Sequence, residues 1–148
     1  KARAVYKSTG LPSLADDTGL EVDALDGAPG VYSARYAGEG ASFMDNIEKL
    51  LRNLEGVSEL NRTARFRTVI AFVDRSRELH SEGIVEGIIT TDPKGSSGFG
   101  YDPIFLPKDS QSTFSEMTQM EKNKISHRAK ALIKMKKLLE PYFKKENI

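Results

Sequence analysis

Apolar positions along the chain recur with two periods, and the two periods divide it into helices and strands. Ala2, Val5 and Tyr6 share one helical face, and Gly10 follows as a C-cap. Residues 14–19 read as a short strand running into a turn. Residues 20–25 alternate Leu20, Val22 and Ala24 against Glu21 and Asp23, the period of a half-buried strand. Asp26, Gly27, Ala28, Pro29 and Gly30 carry loop chemistry. Ser42 and Asp45 have the spacing of a capping box. Ile47, Leu50, Leu51 and Leu54 then line one face of a helix that ends near Gly56. Residues 66–74 are apolar on both alternations, which predicts a central strand buried on both faces. Residues 84–91 form another strand, in which Gly83 and Gly87 mark a bulge or a close backbone approach.

The remaining elements follow a long connection over residues 92–103, rich in Gly, Ser and Pro. Ile104, Phe105 and Leu106 make a short strand. The last helix starts at Ser126, with Ala131, Leu132, Met135, Leu138, Leu139 and Tyr142 as its core stripe. Pro141 is expected to end or kink it. Alternating helices and strands give an α/β class. The first residues are already helical without an N-cap or an initiator Met. That fits a processed terminus or a helix lacking its beginning, and the second is favoured: residues 1–148 are expected to be one domain, N-terminally incomplete.

Composition narrows the function classes. The 148 residues suit one domain with a sizeable core, and the net charge of +1 gives no overall pull toward nucleic acid or membrane. The absence of cysteine excludes disulfides, zinc–thiolate sites and a thiol nucleophile. The apolar runs are too short to span a bilayer and no basic-then-apolar leader opens the chain, so a cytoplasmic protein is expected.

Three segments could carry chemistry. Asp16, Asp17, Thr18 and Gly19 place two carboxylates beside a hydroxyl at a strand end, which suits Mg²⁺ or merely an Asx-turn. Adjacent strand residues point to opposite faces, so both carboxylates meet one site only if the turn begins there. Residues 95–103 set Phe99 between Gly98 and Gly100, followed by Tyr101, Asp102 and Pro103. Glycine lets backbone approach a flat ligand and the aromatic ring can stack on it, whereas a surface linker with Phe99 tucked inside is the alternative. Neither a Rossmann fingerprint nor a Walker loop is present there. The third segment is Lys122 to Arg128. Ser126 as N-cap puts His127 and Arg128 in the first turn of a helix, where basic groups oppose the dipole unless an anion or an acceptor-rich ligand is near. Residues 119–148 hold nine Lys or Arg against three Glu, and most of that excess reads as a solvated face. His80 reads as structural. An RNA-binding role for this basic helix is disfavoured, because Leu132, Met135 and Leu139 give it a buried face.

Taken in order, LADDTGLEVDALDGAPGVYSARYAG, GSSGFGYDPIF and TFSEMTQMEKNKISHRAKAL closely resemble the inosine/xanthosine triphosphate pyrophosphatase family, over essentially the whole chain. The resemblance implies a long, mixed, twisted sheet flanked by helices in two lobes, with a substrate cleft between them. It implies Mg²⁺-dependent hydrolysis of non-standard purine nucleoside triphosphates (dITP, ITP, XTP) to the monophosphate and pyrophosphate, a house-cleaning of the nucleotide pool. It implies a homodimer. Asp17 would be the metal-linked general base and Asp16 would support the metal. Thr18 would contact substrate, where the family has Ser or Thr. Phe99 would stack on the base, with Gly100, Tyr101 and Asp102 completing the pocket; many members have Trp at position 101. Lys122 would contact the nucleotide, and His127 with Arg128 would read the 6-keto group. One departure stands out. The family begins with a strand, a Thr-Gly-Asn-x-x-Lys-like phosphate-binding segment and a metal-binding Glu, and none of these precedes Lys1. An inert nucleotide-binding or regulatory fragment is therefore the alternative function.

Overall fold

The computed structural model describes residues 1–144. Helix α1 (Ala2–Thr9) ends on Gly10, whose φ of 71° is the expected left-handed cap. The sheet comprises β1 (Ser13–Val22), β2 (Pro29–Gly30), β3 (Thr63–Val73), β4 (Glu78–Ile89) and β5 (Phe105–Pro107), in the order β2-β1-β3-β4-β5. Helix α2 (Phe43–Asn53) lies between β2 and β3 in sequence; α3 (Gln119–Ile125) and α4 (His127–Lys144) follow β5.

The α/β class is as expected, and β3 is central. The mixed sheet is corrected among the described residues: all four strand pairings are antiparallel. The turn expected at Asp16 to Gly19 is also absent. β1 runs straight through it, pairing Asp16 with Ile70, Asp17 with Val69, Thr18 with Thr68 and Gly19 with Arg67. The ladder to β3 satisfies the backbone on that side and leaves no reason to turn. The chain reverses only after Val22, where Asp23–Leu25 form a 3-10 turn instead of more strand.

Two neighbouring clusters make the core. Leu20, Val22, Ile47, Leu50, Leu54, Phe66, Ile104, Phe105 and Phe114 form the larger. Ile70 and Phe72 pack with Ala131 and Met135 of α4 in the smaller. β3 is buried chiefly on this one face. Its other face carries Arg65, paired with Glu21, Asp23 and Glu86, and Arg67, paired with Glu21 and Glu82. Cross-strand charge ladders thus replace the second buried face.

The capping box of α2 forms as expected from Ser42 and Asp45. Arg62 caps the other end of this helix, donating to the carbonyls of Leu54 and Val57. A second capping box, Thr118 with Glu121, starts α3, an element the apolar periodicity does not mark because only Lys122 within it is buried. α4 starts where expected: Ser126 Oγ accepts the N–H of Ala129 at 3.2 Å. Two expectations for α4 are corrected. Pro141 lies within the helix, close enough to its end that few intrahelical bonds depend on it. Leu132 and Leu138 are exposed, because the stripe of α4 buried on the sheet runs through Ala131 and Met135.

Gly83 allows α4 to lie this close. A Cβ there would collide with the carbonyl oxygen of His127 and stand 2.6 Å from the amide nitrogen of Ala131. The first turn of α4 rests directly on β4 backbone, as the glycine in the strand pattern implied.

Candidate active site

A cavity of about 310 Å³ opens between β1, the first turns of α2 and α4, and the loop before β5. Its volume falls at the low end for small-molecule sites. Asp16, Asp17, Thr18, Phe99, Gly100, Tyr101, Asp102, His127 and Arg128 all line it. Segments more than one hundred residues apart in sequence thereby meet in one place. Lys122 alone of the sequence-selected residues is not part of this lining: it stands behind Phe99.

Strand alternation separates the two carboxylates. Asp16 faces α4, where Arg128 Nε donates to its Oδ2 at 2.9 Å. Asp17 faces the opposite way and receives Lys1 Nζ at 2.7 Å. Both pairs are well exposed, so each contributes little to stability and can be exchanged for ligand contacts. β2 reaches only Leu20 and Glu21, so β1 beside Asp17 has no further strand neighbour among the described residues. Thr18 points inward with Asp16. Its Oγ1 lies 2.6 Å from Thr68 Oγ1, which in turn lies 2.6 Å from His127 Nδ1.

The Phe99 platform is set by Asp102. Its Oδ2 accepts the N–H of Phe99 at 2.8 Å and also receives Lys122 Nζ, both carboxylate and ammonium being buried. Gly98 has φ of 82°, and a Cβ on it would strike that same carboxylate. Phe99 is left 52% exposed, which excludes its being tucked inside. Lys122 Nζ sits 4.9 Å and Arg128 Cζ 5.7 Å from its ring centroid. Tyr101 is buried, and its hydroxyl donates to the Ser33 carbonyl at 2.9 Å. Burial, with Tyr36 nearby, raises its pKa, so the ring remains a neutral wall.

His127 is 5% exposed and stacks on Phe66 at 4.7 Å between centroids. Desolvation, then the charges of Arg128 and Lys122, push its pKa down from 6.5 to about 4. The imidazole is neutral at physiological pH, with Nε2 as the nitrogen left for a ligand.

Some lining residues escape sequence reasoning. Phe43 precedes Ile47 by one turn on the apolar stripe of α2, but lies beyond the core; its ring is 57% exposed and 6.5 Å from that of Phe99. Ser33 and Asn46 also line the cavity. Asn46 holds the adjoining loop, accepting from Ala37 N at 2.7 Å and donating to Ala34 O at 3.3 Å. Thr68 is a hydroxyl on the inward alternation between Phe66 and Ile70, a signal that was available.

Residues 1–138 match the Ham1 family. A dITP/XTP pyrophosphatase from Bacillus subtilis is 54% identical over 141 residues, covering 95% of this chain and 71% of that protein. One of the same name from Bacillus licheniformis is 53% identical over 141 residues, covering 95% and 72%. Among solved structures, the Staphylococcus aureus Ham1 protein superposes with a TM-score of 0.90 at 40% identity, covering 95% of this chain and 73% of that one. A HAM1 protein from Coxiella burnetii gives 0.88 at 45% identity, covering 93% and 72%. With the cavity assembled from those three motifs and this likeness running nearly end to end, the chain belongs to the Ham1 family.

Proposed function

We propose that the chain hydrolyses non-standard purine nucleoside triphosphates, dITP, ITP and XTP, to the monophosphate and pyrophosphate, and so clears them from the nucleotide pool. The observation that carries this is the single cavity joining an exposed carboxylate, Asp17, to an aromatic platform, Phe99, and a neutral His127 beside the Arg128 cation. The names of the relatives support it. Phe99 stacks on the base, Gly100 and Tyr101 shape the pocket, and Asp102 with Lys122 holds the platform in place. In this reading Lys122 reaches the nucleotide only by leaving Asp102. His127 and Arg128 donate to the 6-oxo group. Thr18 contacts the substrate between the base and Asp17.

Asp17 is the proton acceptor for the attacking water. Its donor chemistry also fits Mg²⁺, which commonly takes one or two carboxylates and fills its remaining positions with phosphate and water. No group of three or more His, Cys, Asp or Glu suited to a metal occurs among the described residues, and that mode needs none. Strand alternation aims Asp16 away from Asp17, so Asp17 would hold the ion while Asp16 orients Arg128. When bound, Mg²⁺ would offset phosphate charge and make water more acidic. Among the described residues no helix is long and apolar enough to cross a membrane. A cytoplasmic homodimer completes the reading, on the family resemblance.

The test is release of pyrophosphate from ITP by this chain with Mg²⁺, beside binding of inosine monophosphate. Release in one-to-one ratio with the monophosphate is the expected outcome. Binding without release would favour an inert nucleotide-binding module, and the absence of both binding and release would overturn the reading.

A further inference from the structure

We propose that Thr68, a buried residue outside the cavity, determines how the site reads position 6 of a purine, by coupling the ring proton of His127 to the hydroxyl of Thr18. This rests on the cavity's being a purine-nucleotide site.

Thr68 is fully buried on β3, on the face that otherwise presents Phe66 and Ile70. A hydroxyl in such a place is unfavourable unless it is hydrogen-bonded. Here it has two partners, Thr18 Oγ1 and His127 Nδ1, each at 2.6 Å. Both partners line the cavity and Thr68 does not. A hydroxyl carries one proton, and a neutral imidazole carries one N–H. Three groups in a row therefore share three protons, and only two arrangements use both internal bonds while leaving the buried Thr68 proton paired.

In the first, Thr18 donates to Thr68, Thr68 donates to Nδ1, and the ring proton sits on Nε2. His127 then donates to the ligand and Thr18 offers it a lone pair. In the second, Nδ1–H donates to Thr68, Thr68 donates to Thr18, and Thr18 turns its proton to the ligand while Nε2 accepts. Each arrangement sends one proton outward, from His127 or from Thr18, never from both.

A 6-oxo purine needs a donor at Nε2, so it selects the first arrangement. Thr18 is then an acceptor, and its ligand partner is a donor such as a sugar hydroxyl or a water rather than a bare phosphate oxygen. A 6-amino purine calls for the second arrangement. Thr18 would then aim its proton at that same donor, so the mismatch at position 6 is felt again at the far end of the chain. Without the Thr68 hydroxyl, Nδ1 has no partner, the tautomer is no longer held, and this second penalty disappears.

The experiment compares the affinities of inosine and adenosine 5′-monophosphates by calorimetry, for the chain and for Thr68→Val and Thr68→Ser, so that no turnover is required. Thr68→Val keeps the shape and should narrow the preference for the 6-oxo ligand by roughly tenfold, the scale of one unpaired buried polar group. Thr68→Ser should restore most of it. ¹⁵N NMR of His127 in the unsubstituted chain with inosine monophosphate should show the proton on Nε2, which tests the coupling even if the valine variant fails to fold. A ring proton on Nδ1 in that complex, or an unchanged preference in Thr68→Val, overturns the proposal. If Thr68→Val leaves the preference unchanged while Arg128→Ala narrows it, the site still reads purines and only the coupling fails. If inosine monophosphate does not bind at all, the purine-site reading falls and takes the coupling with it.

Discussion

Asp102 and Phe99 are joined by a bond of 2.8 Å from the Phe99 amide to the Asp102 carboxylate, which is itself buried against Lys122. The ring exposed to ligand is thus held by a charge hidden from it. Replacing Asp102 by Ala removes the backbone anchor and leaves the Lys122 ammonium buried without its counterion. Loss of one partner of a buried pair costs about 3–5 kcal/mol. Chemical denaturation should show that loss, and nucleotide affinity should fall at the same time. Normal stability would mean that the pair is dispensable to the loop.

Asp17→Asn separates chemistry from folding. The carboxylate is largely exposed and its pair with Lys1 is a surface one. Stability should change by no more than about 0.5 kcal/mol. Pyrophosphate release should fall by at least about 10²-fold, the scale of a lost general base. Near-normal turnover would remove Asp17 from its catalytic role.

Arg128 stands between Asp16 and the Phe99 ring. Arg128→Ala should narrow the preference for dITP and XTP over dATP, read as the ratio of kcat/KM values. The lost hydrogen bond to a 6-oxo group corresponds to about 1–3 kcal/mol. An unchanged ratio would exclude Arg128 from base reading.

Gly83→Ala tests the seat of α4. Its methyl would meet the backbone at His127 and Ala131, which cannot swing aside as a side chain can. Overpacking of this kind costs about 1–3 kcal/mol. The melting temperature should drop, and because His127 opens the displaced turn, purine preference should weaken with it. A variant with unaltered melting and preference would show that the helix seat is more yielding than its close approach implies.

Stability should rise with pH between about 4 and 6.5. His127 has a folded pKa of about 4 against 6.5 for the free side chain, so in that window the unfolded chain binds a proton that the folded chain does not. The contribution is present above pH 6.5 and is lost as pH falls through the window. It amounts to on the order of 3 kcal/mol. Urea titrations at pH 4.5 and 7 on the chain and on His127→Gln check it: the slope with pH should flatten in the variant.

The elements that local chemistry controls were legible in the sequence. The capping box at Ser42, the Gly10 cap and the Ser126 start of α4 depend on residues three or four apart, and each stands where the pattern puts it. The motif residues were legible as well, because Asp17, Phe99 and His127 lie in segments whose residue order carries the family resemblance. Tertiary structure decided the rest. Whether β1 turned at Asp17 depended on β3, a partner fifty residues away, whose ladder holds the strand straight and sends Asp16 and Asp17 to opposite faces. The withdrawal of Lys122 behind Phe99 and the Thr18–Thr68–His127 chain likewise arise only when separate segments pack. Sequence periodicity shows that a side chain points inward. Which hydroxyl, carboxylate or ring it meets there is set by long-range register, and that register determined how the residues of this site divide their work.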